Sequence, residues 1–476
     1  MVSPVVAPTA VSKPPGPRGL PVLGSLLDLR RDPLGFFMEC AQRYGDVVAF
    51  RIGPRDALFL NDPDCIERIL VTEHRSFPKI SFIWRQFTAV FGDGLVTSYG
   101  ALWQRQRRLC APAFTPARLA AYAQVMSRGT DHVLDGWRDG EVRDLHADMM
   151  GLTLRIVAET LFGVGIEDDI PRIEAAVDDL SREMASRMVR PILIPDVVPL
   201  PGHLRYRRGL ACIEDVATRI IKERRTKPAT GQNLLSAMME SGDKSSAPMS
   251  DHQLRDEAVT FLLAGHETTA LALTWAVHLL GQHPEVGAAL ATEVDAVVGE
   301  RAIAFEDLQR LTLAEQVVNE SLRLYPPAWL IGREAGQDCE ISGYRIQAGT
   351  PIYTLPWVLH RDPRFWDEPL AFRPQRWAEG VPRSLPRFAY MPFGGGPRVC
   401  IAQRFAMVEA VLILASIARR FHLVSAQQGP VEPFPSITLR PARPLRFRVE
   451  ARRGGQPAKM IDHCSFKTAR SPSCQW

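Results

Sequence analysis

Hydrophobic positions along this chain recur with more than one period, and each period predicts a different element. Near the N-terminus, Val47-Val48-Ala49-Phe50-Arg51-Ile52 and Ala57-Leu58-Phe59-Leu60 are short runs rich in β-formers. The turn-forming Gly53-Pro54-Arg55-Asp56 between them predicts a hairpin. From about residue 103 to 324 the apolar positions fall at helical spacing in long stretches rich in Ala, Leu, Arg and Glu, which predicts a helical middle. Pro191, Pro195, Pro199 and Pro201 predict a loop over 192–203, and 241–248 is a polar break. After Tyr325-Pro326-Pro327, strand-like pieces around Ile346 and over 351–354 alternate with proline-rich coil, and a last helix is predicted over 402–420. Lys13-Pro14-Pro15-Gly16-Pro17 cannot be helical, because each proline fixes φ and removes a donor. The expected organisation is an extended proline-rich strap over 1–24, one domain over 25–452 and a disordered tail over 453–476.

The most apolar stretch, 258–280, carries His266 and Glu267 near its middle and His278 near its end. A carboxylate at mid-bilayer costs about 3 kcal/mol even on lenient scales, so this stretch predicts the central helix of a globular domain rather than a membrane span. Met1 to Ala10 are broken by Pro4 and Pro8 and lack a basic start, which makes a poor signal peptide. With 46% hydrophobic and 23% charged residues in 476, the chain can bury a large core. Lys+Arg 57 against Asp+Glu 53 leaves +4, too little to suggest a nucleic-acid partner. Eight cysteines with no C-x-x-C pair exclude a zinc ribbon or a dense disulfide framework. They fit a reducing compartment, so a cytoplasmic protein is expected.

Phe393-Gly394-Gly395-Gly396-Pro397-Arg398-Val399-Cys400-Ile401-Ala402 is the most informative segment. Three glycines allow close backbone approach or positive φ. A helix predicted just after Cys400 would aim orphan N–H groups and the positive dipole end at its sulfur, which favours thiolate and suits a metal ligand. Arg398 offers a cation to an anionic cofactor group. The run resembles the haem-binding loop of the cytochromes P-450, Phe-x-x-Gly-x-Arg-x-Cys-x-Gly, on which Phe393, Gly396, Arg398 and Cys400 fall in register. Ala402 replaces the last glycine. The resemblance implies haem b (iron protoporphyrin IX) ligated by Cys400, with Gly394 and Ala402 against it. It also implies a mainly α fold with a smaller β part: the family's triangular helix-rich prism, haem lying between a long distal helix and a proximal Cys loop.

Other segments follow the family in order. Glu320-Ser321-Leu322-Arg323 places a carboxylate and a guanidinium on one helical face. The resemblance joins Arg376 of Phe372-Arg373-Pro374-Gln375-Arg376-Trp377 to them as a structural lock. Trp103 and Arg107, four residues apart on one face, resemble the family's propionate donors, and Arg333 its further propionate arginine. Ala264-Gly265-His266-Glu267-Thr268 puts a glycine, a carboxylate and a hydroxyl in the middle of a buried helix, which packing alone would not choose. It resembles the family's oxygen-binding motif. By that resemblance Thr268 steadies the bound oxygen species, Glu267 delivers protons for O–O cleavage, and Ala264 and Gly265 make the groove. His266 has no His-x-x-x-His partner and is not read as a metal ligand.

Phe82, Phe87, Ala328, Leu330 and Ile437 are expected, from the family's topology, to line a large apolar substrate pocket suited to a fatty acid, terpenoid or polyketide. No flavin or nicotinamide segment is recognised, so a separate donor is expected: a ferredoxin with ferredoxin reductase, or a flavodoxin. Arg105, Arg108 and Arg404 are its candidate docking patch. The resemblance therefore implies a soluble bacterial-type monooxygenase that activates O2 to hydroxylate or epoxidise a hydrophobic substrate. A haem-thiolate peroxygenase, isomerase or coupling enzyme is the alternative, and the Glu267–Thr268 pair argues against it and against a haem-based gas sensor.

Overall fold

A computed structural model describes residues 13–188, 190, 194–226, 233–240, 248–380, 382, 384–427 and 429–452, without the side chains of Phe82 and Ile83. The first twelve residues of the expected strap, residues 241–247 of the polar break and the expected tail lie outside the described residues. The helices are α1 (Leu26–Arg31), α2 (Pro33–Tyr44), α3 (Pro63–Glu67), α4 (Phe82–Phe91), α5 (Gly100–Cys110), α6 (Pro116–Asp135), α7 (Leu145–Val157), α8 (Ile170–Met188), α9 (Pro201–Thr226), α10 (Leu234–Glu240), α11 (Asp251–Gln282), α12 (Pro284–Val297), α13 (Thr312–Leu324), α14 (Pro356–Leu359) and α15 (Gln403–Arg420). The strands are β1 (Val47–Ile52), β2 (Arg55–Leu60), β3 (Val142–Asp144), β4 (Ile331–Glu334), β5 (Cys339–Ile341), β6 (Tyr344–Ile346), β7 (Pro351–Thr354), β8 (Phe421–Ser425), β9 (Pro433–Pro435), β10 (Leu439–Pro441) and β11 (Arg446–Ala451). The fold is mainly α with a smaller β part, as expected.

Local chemistry explains where elements begin and where the sequence reading differs. The hairpin turns on Gly53-Pro54 alone, with Ile52 opposite Arg55, so β2 starts two residues earlier than the apolar run. Gly53 supplies the positive φ, +61°, that a two-residue hairpin needs. α9 starts at Pro201, inside the expected loop, because proline is pre-organised for the first helical turn. α11 is longer than the apolar stretch that predicted it. Its first turns carry Asp251, Arg255, Asp256 and Glu257, and a capping box between Ser250 and Gln253 sets its start. α15 starts at Gln403, with Ala402 as N-cap.

α11 is buried on nearly every side, packed among α7, α9, α13 and α15. Trp275, fully buried, stacks on Tyr325 at 4.1 Å and donates to the Leu439 carbonyl at 2.9 Å, tying α11 to β10. Among the described residues no helix is long and apolar enough to cross a membrane. The four-stranded sheet, in the order β1-β2-β7-β4, stands beside this helical body. Among the described residues only β2 and β7 pair in parallel, with Leu58 opposite Ile352. Residues 13–19 run without regular structure beside β1, where Ala49 N donates to the Pro15 carbonyl at 2.8 Å.

Candidate functional site

The glycines ahead of Cys400 are demanded by close approach. Gly394 and Gly396 have φ of +72° and +67°. A Cβ on Gly396 would stand 1.9 Å from the Leu70 carbonyl oxygen, and one on Gly395 would stand 2.1 Å from the Phe388 ring. Cys400 N donates to the Phe393 carbonyl at 3.0 Å, which closes the loop. Cys400 lies deep in the fold yet keeps accessible surface. Burial pushes its thiol up, against the opposing pull of the Ala402 amide and the Arg107 charge. A bound metal ion reverses that balance, since a coordinating thiol is deprotonated outright.

Beside the loop, cations gather without acids. Arg398 donates to the Ser98 carbonyl at 2.6 Å and lies 4.1 Å over the Trp103 ring, while its Nη1 is buried with no partner among the described residues. Arg107 donates to the Val399 carbonyl at 2.9 Å. Arg333, buried on β4, donates to the Gly332 carbonyl at 2.8 Å. Lys79, which the sequence reading missed, joins them: it donates to the Val96 carbonyl at 3.1 Å and lies 4.3 Å over the Trp84 ring. Burial, then the charges of Arg333, Arg398 and Arg107, hold its ammonium well below the usual lysine range. Burial also lowers Arg333 to about 10 and Arg398 to about 9. No carboxylate of the described residues pairs with any of the four. Arg333 is buried and the other three are half-buried; cations so withdrawn from water without counter-charge are costly, so this cluster fits a ligand that brings two carboxylates.

On α11, every residue from Asp256 to Leu279 is buried except Ala264, Gly265 and Thr268, which form one partly accessible strip. Thr268 Oγ1 donates to the Ala264 carbonyl at 2.9 Å. Gly265 also has a packing reason, since a Cβ there would stand 3.2 Å from Val157 of α7. Glu267 turns away from the strip. Its Oε1 accepts from Thr438 Oγ1 at 2.5 Å and from Arg440 Nε at 2.7 Å. Arg440 reaches on to Asp178 of α8 at 2.6 Å. Burial alone would raise the Glu267 carboxyl, but Arg440, Thr438 and His266 hold it below the usual value. His266 Nδ1 contacts the Leu262 carbonyl at 2.5 Å.

Glu320, Arg323 and Arg376 come together. Arg323 Nη2 meets Glu320 Oε1 at 2.8 Å with both side chains fully buried, and Arg376 Nε meets the same oxygen at 3.0 Å. Trp377 Nε1 and the Arg373 amide also donate to Glu320, each at 2.9 Å. Arg323 extends to the His360 carbonyl, and His360 Nε2 accepts from the Met391 amide at 3.0 Å, two residues before Phe393. The lock is thus wired to the cysteine loop.

The expected pocket residues scatter more. The Phe82 side chain lies outside the described residues. Phe87 is half-buried against Trp84 and Phe91. Ala328 is exposed and Ile437 partly buried. Leu330 lines an apolar slot with Phe37, Phe50, Met188, Trp329 and Tyr353. Of the basic patch, Arg108 and Arg404 are exposed, while Arg105 leans on Gln253 at 3.5 Å.

A flat dianion with a metal at its centre answers the cysteine and the four cations together, which defines a haem-thiolate protein. Comparison with known proteins reaches the same class: residues 14–449 match the family described as Cytochrome P450. The chain is 35% identical to cyclooctatin synthase of Streptomyces melanosporofaciens, over 92% of this chain and 95% of that one. It is 34% identical to pentalenene oxygenase of Streptomyces avermitilis, over 92% and 98%. With cyclooctat-9-en-7-ol 5-monooxygenase of Streptomyces melanosporofaciens it shares 33%, over 91% and 94%. The chain belongs to the cytochrome P450 family and is a haem-dependent monooxygenase, using O2 and electrons from a redox partner to oxidise a hydrophobic substrate.

Proposed function

We propose that this monooxygenase binds haem b through Cys400 and hydroxylates or epoxidises a terpenoid. The observation that carries the haem reading is the cluster of Lys79, Arg107, Arg333 and Arg398 beside the cysteine loop, without counter-charge among the described residues. These cations, with the Trp103 indole, hold the two propionates. When bound, the haem supplies the reductive activation of O2.

The chain's own residues handle protons and exclude water. The Ala264–Gly265–Thr268 strip is the oxygen groove. The Thr268 hydroxyl exchanges its Ala264 acceptor for the oxygen being reduced. Glu267, ionised beside Arg440 and turned away from the strip, serves as a relay rather than a proton store: it takes its proton from water, since the guanidinium gives none up, and passes it inward by swinging off Arg440 and Thr438 towards the groove. The names of the similar Streptomyces enzymes, which act on pentalenene and cyclooctat-9-en-7-ol, support a terpenoid over a fatty acid or polyketide. A cytoplasmic location and a ferredoxin with its reductase complete the reading, with Arg108 and Arg404 in the docking patch.

A substrate screen by haem optical shift tests this. Cyclic terpenes and terpene alcohols are expected to drive iron to high spin at micromolar concentrations by displacing axial water. Shifts with fatty acids or polyketides alone would overturn the terpenoid assignment.

A further inference from the structure

The segment 92–98, which joins α4 to α5, is held from two sides. On one side lies α11. Asp93 N donates to Asp256 Oδ2 at 2.8 Å, and Leu95 N donates to Glu257 Oε2 at 3.1 Å. The backbone lies so close that a Cβ on Gly92 would stand 2.2 Å from the Asp256 carboxyl carbon, and one on Gly94 would stand 2.1 Å from Thr260 Oγ1. On the other side are two of the four cations: Lys79 donates to the Val96 carbonyl and Arg398 to the Ser98 carbonyl. Gln106 of α5 braces the segment, donating to the Asp93 carbonyl at 2.7 Å and accepting from Ser98 Oγ at 2.5 Å.

From this arrangement we propose that Asp256 and Glu257 are positioning residues, which clamp the 92–98 backbone to α11 and so set where Lys79 and Arg398 stand. The proposal rests on the haem reading above, in which those cations face the propionates. It adds that the helix bearing the oxygen groove also fixes the electrostatics at the haem edge, through a segment whose alternate amides and carbonyls are held on opposite sides.

The two acids do this differently. Asp256 is met by Arg255 at 2.6 Å and by His252 at 3.3 Å, so its charge is answered. Among the described residues Glu257 has no cation beside it and its Oε1 has no hydrogen-bond partner, and it is fully buried. Burial, with the Asp256 charge adding to it, raises its carboxyl to about 8 against the pull of the Leu95 amide. At neutral pH Glu257 therefore acts mainly as a neutral acid whose carbonyl oxygen accepts the Leu95 amide. A glutamine can do the same; an alanine cannot.

The test uses the haem-loaded enzyme and two readouts that do not need turnover: the rate of haem transfer to a scavenging apoprotein, and the haem reduction potential. Glu257→Ala is expected to speed haem loss by about tenfold, the factor that corresponds to roughly one hydrogen bond. It should also lower the potential, since cations at the propionates favour the reduced state. Glu257→Gln is expected to match the wild type in both. In an Arg398→Ala background, Glu257→Ala should add less than it does in the wild type, because one of the two cations it positions is gone and only Lys79 remains. Unchanged haem loss and potential in Glu257→Ala would overturn the proposal. So would full additivity with Arg398→Ala, the result expected of a merely structural residue, or a Glu257→Gln as damaged as Glu257→Ala. A wild-type protein that takes up no haem would instead sink the reading on which the proposal rests.

Discussion

At the scale of single residues, Thr268 and Glu267 are neighbours in sequence with different surroundings. Thr268 lies on the accessible strip and spends its hydroxyl on its own helix. Removing that hydroxyl takes away a donor without opening a packed core. Thr268→Ala is therefore expected to keep its haem and its fold while product per electron falls at least about tenfold and hydrogen peroxide accumulates. Coupling measured at the wild-type level would remove Thr268 from the chemistry. Glu267 is buried and paired, so its partner matters more than its own accessibility. Arg440→Met would strand the carboxylate and cost about 3–5 kcal/mol, and a second change, Glu267→Gln, should recover most of the loss. Denaturant unfolding of the single and double variants checks this, and equal instability in both would contradict it. The pH signature has a definite sign. Paired Glu267 sits below its unfolded value of about 4.3, so it adds stability above that pH and loses it as pH falls through the folded value. In Arg440→Met the carboxyl rises instead, and stability drops as pH increases beyond about 4.3.

Among elements, the junction of α13 with the segment after Phe372 is held by a buried charged network. Glu320 accepts from Arg323, Arg376, Trp377 and the Arg373 amide, with Arg323 fully buried beside it. Glu320→Ala is expected to destabilise the fold by about 3–5 kcal/mol and to lower haem content through the His360–Met391 connection to the cysteine loop. Normal haem content in that variant would show that the connection carries nothing. α11 offers a second check. Since folding raises the Glu257 carboxyl to about 8, the folded state binds more protons than the unfolded one between about pH 4.3 and 8. Its contribution to stability is therefore full below that window and is lost as pH climbs through it. Melting curves across the range should show Glu257→Gln gaining on the wild type as pH rises, and parallel curves would contradict it.

For the molecule as a whole, legibility followed contiguity. The cysteine loop, the hairpin and the long helix lie on unbroken stretches whose glycines, turn residues or apolar run announce them, and the fold class followed from these. The lock was legible although it spans more than fifty residues, because Glu320–Arg323 and Arg376 each sit in a recognisable local pattern. Lys79 was not, since nothing around Pro78-Lys79-Ile80 marks it out until the chain brings Arg107, Arg333 and Arg398 beside it. The Arg440 partner of Glu267 is likewise 173 positions away and set by the β9–β10 hairpin. Trp377 was in view as part of a motif, but its indole N–H on Glu320 needed the fold. Long-range electrostatic partners are what local patterns cannot encode.

Cys400 as the axial ligand is the claim on which the site depends, and the absorption spectrum of the reduced, CO-bound protein tests it most directly. The wild type is expected to show the strongly red-shifted Soret band of thiolate ligation, and Cys400→Ala to lose it. A wild-type spectrum of the imidazole type, or a thiolate band that survives in Cys400→Ala, would contradict the account.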